Sequence, residues 1–136
     1  MLKVEFTESA RSALIDFEAV LRKKTGLDLH GVDLVSRSFS FEYDSKAKSL
    51  VRAPLISFGD VATENGRNEQ EGMLNMAIGV VKALRNPLIH TPTNLHAFRA
   101  VSVVTLVGFL LERIKEGGSI LDYPTTTMRS IPPEDI

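Results

Sequence analysis

Arg85 and His90 stand five positions apart in Arg85-Asn86-Pro87-Leu88-Ile89-His90, between two long apolar helical patterns. A guanidinium is permanently charged and presents its donors in a planar fork that matches phosphate oxygens. An imidazole exchanges protons near neutral pH. Together the two suit work on a phosphodiester, one holding the non-bridging oxygens and the other moving protons. Asn86 adds a further donor, or a group to orient the imidazole. The segment also has a plainer reading: Arg85 bonds the last carbonyls of a helix, and His90 is a loop residue satisfied by backbone.

The elements around this segment are mostly helical in pattern. Thr7-Glu8-Ser9 offers N-caps, and Ala10, Ala13, Leu14, Phe17, Val20 and Leu21 follow an amphipathic stripe closed by Gly26. A short helix over 32–38 turns Leu34 and Val35 inward. Phe39, Phe41 and Tyr43 alternate, and with Leu50-Val51-Arg52-Ala53 they predict a small hairpin or an irregular loop. Residues 59–67 are polar, with an Asn65-Gly66 turn signal. Asn68 then opens a helix whose apolar face is Met73, Met76, Ala77, Val80, Val81 and Leu84, and Pro87 is expected to end it. Thr93 or Asn94 caps the last helix, with Ala97, Val101, Val104, Leu106, Val107, Leu110, Leu111 and Ile114 as core and Gly117-Gly118 as its stop. That helix is apolar on more than one face, which predicts burial on two sides, with self-association as one way to achieve it.

The expected architecture is therefore an all-α bundle of four main helices, with an irregular or hairpin insertion between the second and third. Residues 1–118 form the helical domain. Residues 119–136, with three prolines and a Thr-Thr-Thr run, form an extended or disordered tail that could lie along the domain through Ile120, Leu121 and Tyr123.

The 136 residues fit one domain, and 43% hydrophobic with 24% charged residues is an ordinary soluble balance. With no cysteine, a disulfide framework and a thiolate metal site are both excluded. No secretory leader opens the chain, so a reducing cytoplasm is the default compartment. The uncharged run over 100–111 is too short to span a bilayer, so no membrane contact is expected. The net charge of −1 gives no global attraction to nucleic acid, so any RNA contact must come from locally clustered cations. Lys82, Arg85, Arg99 and Arg113 are the candidates. No His and carboxylate set has metal spacing: Glu69 and Glu71 point to different helix faces. His30 reads as a turn residue. His96 reads as one turn into the last helix, and Arg22-Lys23-Lys24 as a solvated helix end.

Set in this context, the chain resembles the HEPN superfamily and, within it, the uncharacterised bacterial Ymh-type family. The resemblance rests on Arg85-Asn86 with His90 at the end of a core helix. It rests also on Thr25-Gly26-Leu27-Asp28, Gly31-Val32-Asp33-Leu34, Phe39 and Asn68-Glu69-Gln70-Glu71-Gly72, in that order, and spans roughly Phe17 to Ile114. It implies a metal-independent endoribonuclease without cofactor, acting as a toxin or phage-defence effector. In that family two protomers meet so that both Arg/His motifs line one cleft.

Arg85, Asn86 and His90 would then be catalytic, with Lys82 and Arg99 contacting RNA, and an antitoxin or defence-system protein is a possible partner. The resemblance also allows a non-catalytic role as an RNA-binding, protein-binding or dimerisation module. One departure is Pro92, which occupies the position where some HEPN toxins carry a tyrosine modified by their antitoxin.

Overall fold

A computed structural model describes residues 2–90, 95–116 and 118–119 of the chain. It is an all-α bundle built from α1 (Leu2–Thr25), α2 (Gly31–Phe39), α3 (Glu64–Val80) and α5 (Ala97–Glu116). A π-helical turn (Val81–Arg85) and α4 (Asn86–His90) run on directly from α3. The insertion between α2 and α3 contains an antiparallel hairpin, β1 (Glu42–Asp44) with β2 (Ser49–Arg52), and a short strand β3 (Ile56–Ser57). Gly118–Ser119 forms β4 and pairs antiparallel with β3. The tail beyond residue 119 and the caps expected at Thr93 and Asn94 lie outside the described residues.

Helix α1 packs along α5. Its stripe is buried as the spacing predicts, with Ala10, Leu14, Phe17 and Leu21 at the centre of the core and Ala13 and Val20 on its margin. Gly26, with φ +73, closes the helix by giving its N–H to Arg22 O at 2.8 Å, the left-handed stop that glycine adopts at least cost. The start differs from expectation: the helix begins at Leu2, so Thr7 lies inside it rather than capping it.

Helix α3 also begins earlier than its sequence suggests. Thr63 is the cap, its Oγ1 accepting the Gly66 N–H at 3.0 Å, so Asn65-Gly66 is a helical first turn and not a loop turn. Glycine is required at 66 because a Cβ there would lie 1.8 Å from the Asp60 carbonyl oxygen. Gln70, completely buried, ties the insertion to the bundle. Its amide donates to Phe39 O at 2.9 Å and Ile56 O at 2.8 Å, and its carbonyl accepts the Phe58 N–H at 2.9 Å.

Pro87 does not end the helix. Asn86 stays helical, with φ −63 and ψ −47, and its N–H bonds back five residues to Val81 O. A proline ring in a helix clashes with the carbonyl four residues earlier and cannot donate a bond. The wider π turn immediately before it makes room and absorbs the lost partner.

Helix α5 buries Ala100, Val103, Val107, Leu110 and Ile114, a face rotated from the expected one. Val101 and Val104 are exposed, as are Phe98, at 83%, and Phe109. Met76 on α3 is likewise more exposed than expected. The second apolar face of α5 therefore has no cover within the protomer among the described residues.

Candidate functional site: a buried carboxylate behind Arg85

Three charged residues of α1, Arg11, Glu18 and Arg22, recur at spacings of seven and four and so share one flank of the helix, beside the apolar stripe. That flank faces the π turn, α4 and the start of α2. Arg11 Nε donates to Leu88 O at 3.0 Å, holding the end of α4. Glu18 is buried. Its Oε2 accepts from Arg85 Nε at 2.8 Å, and its Oε1 accepts the Gly31 N–H at 2.6 Å. Arg22 Nη1 lies 3.3 Å from His30 Nδ1 and donates to Leu29 O at 3.5 Å.

Arg85 is thus fixed from behind. Its side chain is 16% exposed against 5% for Glu18, so the pair sits at the boundary of the core with the guanidinium on the outer side. Its Nη1 donates to Asn86 Oδ1 at 3.0 Å, so the carboxylate, the guanidinium and the side-chain amide form one chain of bonds. Gly31, with φ +61, lets α2 begin against this group, and a Cβ there would stand 4.0 Å from Arg85 Nη1. An ion pair this dry restrains its arginine to one geometry, which preorganised charge stabilisation demands.

His90 is exposed at the last residue of α4. At 3.6 residues per turn, side chains five apart diverge by about 140° around a helix, so Arg85 and His90 do not share a face. Asn86 and His90, four apart within α4, do share one. Asn86, bonded to the clamped guanidinium, is therefore the residue whose face of α4 His90 shares.

The other residues singled out from the sequence separate into two groups. Lys82, exposed, lies one turn before Asn86 on the π turn that also carries Arg85. Arg99, also exposed, lines an apolar groove of about 480 Å³ between α4 and α5, together with Leu84, Pro87, Leu95 and Phe98. Arg113, by contrast, is committed to Glu69 and Glu116 and is not an available cation. His96 is not one turn into α5. It precedes the helix, its carbonyl accepting the Ala100 N–H at 3.0 Å.

His30 stands at the N-cap of α2 and makes no side-chain cap bond there. Its partner is Arg22, which is not the isolated solvated cation the sequence suggests. Glu18 was missed altogether. The signal that could have found it is a carboxylate at the edge of an apolar stripe, flanked on the same side by two arginines.

Among the described residues no group of three or more His, Cys, Asp or Glu could hold a metal ion, and no helix is long and apolar enough to cross a membrane.

Fold and site together define a small helical domain with a carboxylate-clamped arginine five residues before an exposed imidazole. Residues 1–114 match the family described as a protein of unknown function (Hypoth_ymh), and the chain belongs to that family. No curated protein and no solved structure matches the chain.

Proposed function

We propose that the protein is a metal-independent endoribonuclease of the HEPN type, serving as a toxin or phage-defence effector. The observation that carries this reading is the bonded chain Glu18–Arg85–Asn86 with His90 one turn further along α4. RNA supplies its own nucleophile, so the enzyme has to position the 2′-OH, move protons and stabilise charge.

His90 takes the 2′-OH proton as the oxygen attacks phosphorus, or gives a proton to the departing 5′-oxygen. Arg85, held by Glu18, meets the non-bridging oxygens as negative charge builds in the pentacoordinate transition state. The P–O5′ bond breaks as the P–O2′ bond forms, leaving a 2′,3′-cyclic phosphate and a 5′-hydroxyl. The π turn fits this role, since such bulges recur at functional sites.

The divergence of Arg85 and His90 on one chain favours a homodimer in which the two protomers complete a shared cleft. The uncovered α5 face of Phe98, Val101, Val104 and Phe109 supplies an apolar surface for that contact. Phe98→Glu is expected to shift sedimentation from dimer to monomer without loss of helical circular dichroism. An unchanged sedimentation coefficient would remove this face from the interface.

The direct test is cleavage of a structured RNA in EDTA by the wild type beside His90→Ala. The variant is expected to lose roughly 10²–10⁴-fold in rate while melting at the same temperature, because His90 is exposed. One observation favours a second reading, a non-catalytic RNA-binding or protein-binding domain: Glu18 already neutralises Arg85. Equal background from both proteins on several RNAs would select that reading.

A further inference from the structure

The flank of α1 that clamps Arg85 carries a second cation into the same neighbourhood. Arg22 follows Glu18 by four residues and so lies one turn along the same face. It bonds His30, and the next residue, Gly31, gives its N–H to Glu18, which holds Arg85. Arg22, His30, Glu18 and Arg85 are therefore one contiguous cluster, assembled from α1, the start of α2 and the π turn. Two guanidiniums against one carboxylate leave one formal positive charge, and His30 adds an exposed imidazole edge. Glu18 occupies the Gly31 N–H, so the first amide of α2 is already spent on the cluster.

We propose that Arg22, oriented by His30, binds the phosphodiester adjoining the one seated at Arg85, so that each protomer grips two successive phosphates of a single RNA strand. The proposal rests on the ribonuclease reading for the identity of the strand. Its physical content is a two-phosphate contact centred on the carboxylate that organises both arms. In sequence Arg22 reads as a solvated helix end and His30 as a turn residue, because the two are 8 positions apart and Arg85 lies a further 55 positions on. A guanidinium is suited to the task because its planar fork can keep one edge on His30 and Leu29 O and turn the other to a phosphate.

The test is fluorescence anisotropy of a short single-stranded 2′-O-methyl RNA, which lacks the nucleophile and so reports binding alone. It is run over a range of salt with wild type, Arg22→Ala, Arg22→Lys and Lys23→Ala. Arg22→Ala is expected to weaken binding about fivefold to tenfold and to flatten the log–log salt dependence by about 0.7, one phosphate's worth on a single strand. Arg22→Lys restores the salt slope. Lys23→Ala removes the same charge one residue away, on a different face, and leaves the slope intact.

Equal losses from Arg22→Ala and Lys23→Ala, or no binding by the wild type, would overturn the proposal. Thermal melts exclude misfolding, and Arg22→Gln, neutral but of similar length, carries the test if Arg22→Ala melts early. Cleavage of the unmodified RNA is scored separately. Arg22-dependent binding without cleavage keeps this site and removes the nuclease reading; cleavage with Arg22-independent binding does the opposite.

Discussion

Gln70 and Glu18 are both polar, both buried in the bundle and both bonded to backbone of another element, yet they are built to different ends. Gln70 spends its amide on Phe39 O, Ile56 O and the Phe58 N–H, and its bonds stop there. Glu18 spends one oxygen on the Gly31 N–H and the other on a guanidinium whose next bond, to Asn86, leads out toward His90. A neutral amide satisfied on every side joins chain segments at little electrostatic cost. A buried ion pair loses in desolvation much of what it gains in attraction, and an apolar pair of similar volume often serves stability as well. The difference separates glue from positioning: Gln70 closes a junction, and Glu18 holds a cation at the edge of one.

The sharpest way to break that contrast is at Arg85. Arg85→Ala strands Glu18 as an unpaired buried charge and is expected to cost about 3–5 kcal/mol in urea unfolding, along with all RNA cleavage. The double variant Glu18→Gln/Arg85→Met keeps an acceptor for the Gly31 N–H and should recover most of that stability and none of the activity. If it stays as unstable as the single variant, the pair is structural in the way Gln70 is, and the contrast collapses.

Gln70→Leu is the complementary case. It leaves two carbonyls and an N–H short of a partner in the core and is expected to lower stability by about 2–3 kcal/mol. Cleavage per folded molecule should stay the same, as measured by activity normalised to the native fraction. A loss of activity beyond the native fraction would make Gln70 part of the site.

Much of this arrangement was legible from residue types and spacing, and the losses have identifiable causes. The α1 stripe, the short α2 with Leu34 and Val35 inward, and the Gly26 stop follow from local periodicity and backbone freedom. The inward face of α5 did not, because residues 100–111 are uncharged all round and period alone cannot choose among apolar faces. The start of α3 was misplaced because Asn65-Gly66 signals a turn locally, whereas glycine is needed there by the approach of Asp60 from outside the helix. Pro87 failed as a stop because the π turn accommodates it.

At the candidate site, Arg85, Asn86 and His90 are singled out from sequence by their chemistry. Glu18 is not, since it stands 67 positions before Arg85 and only packing joins them. The His30–Arg22 contact is nearer in sequence, but it too depends on how the α1–α2 connection turns.

The smallest effect compares two surface cations that look alike in sequence. Arg113 is closed by Glu69 and Glu116, whereas Lys82 is exposed one turn from Asn86 and makes no ion pair among the described residues. A charge already paired releases few counterions when RNA arrives; an unpaired one contributes its share of the salt dependence. Lys82→Ala should therefore raise the RNA concentration needed for half-maximal cleavage severalfold and flatten its salt dependence by about 0.7, with thermal stability unmoved. Arg113→Ala should leave RNA affinity alone and cost at most about 1 kcal/mol of stability through its partly exposed pairs. Equal effects on RNA from the two variants would mean that binding follows overall charge rather than the cations of the π turn, and the contact would have to be sought elsewhere on the surface.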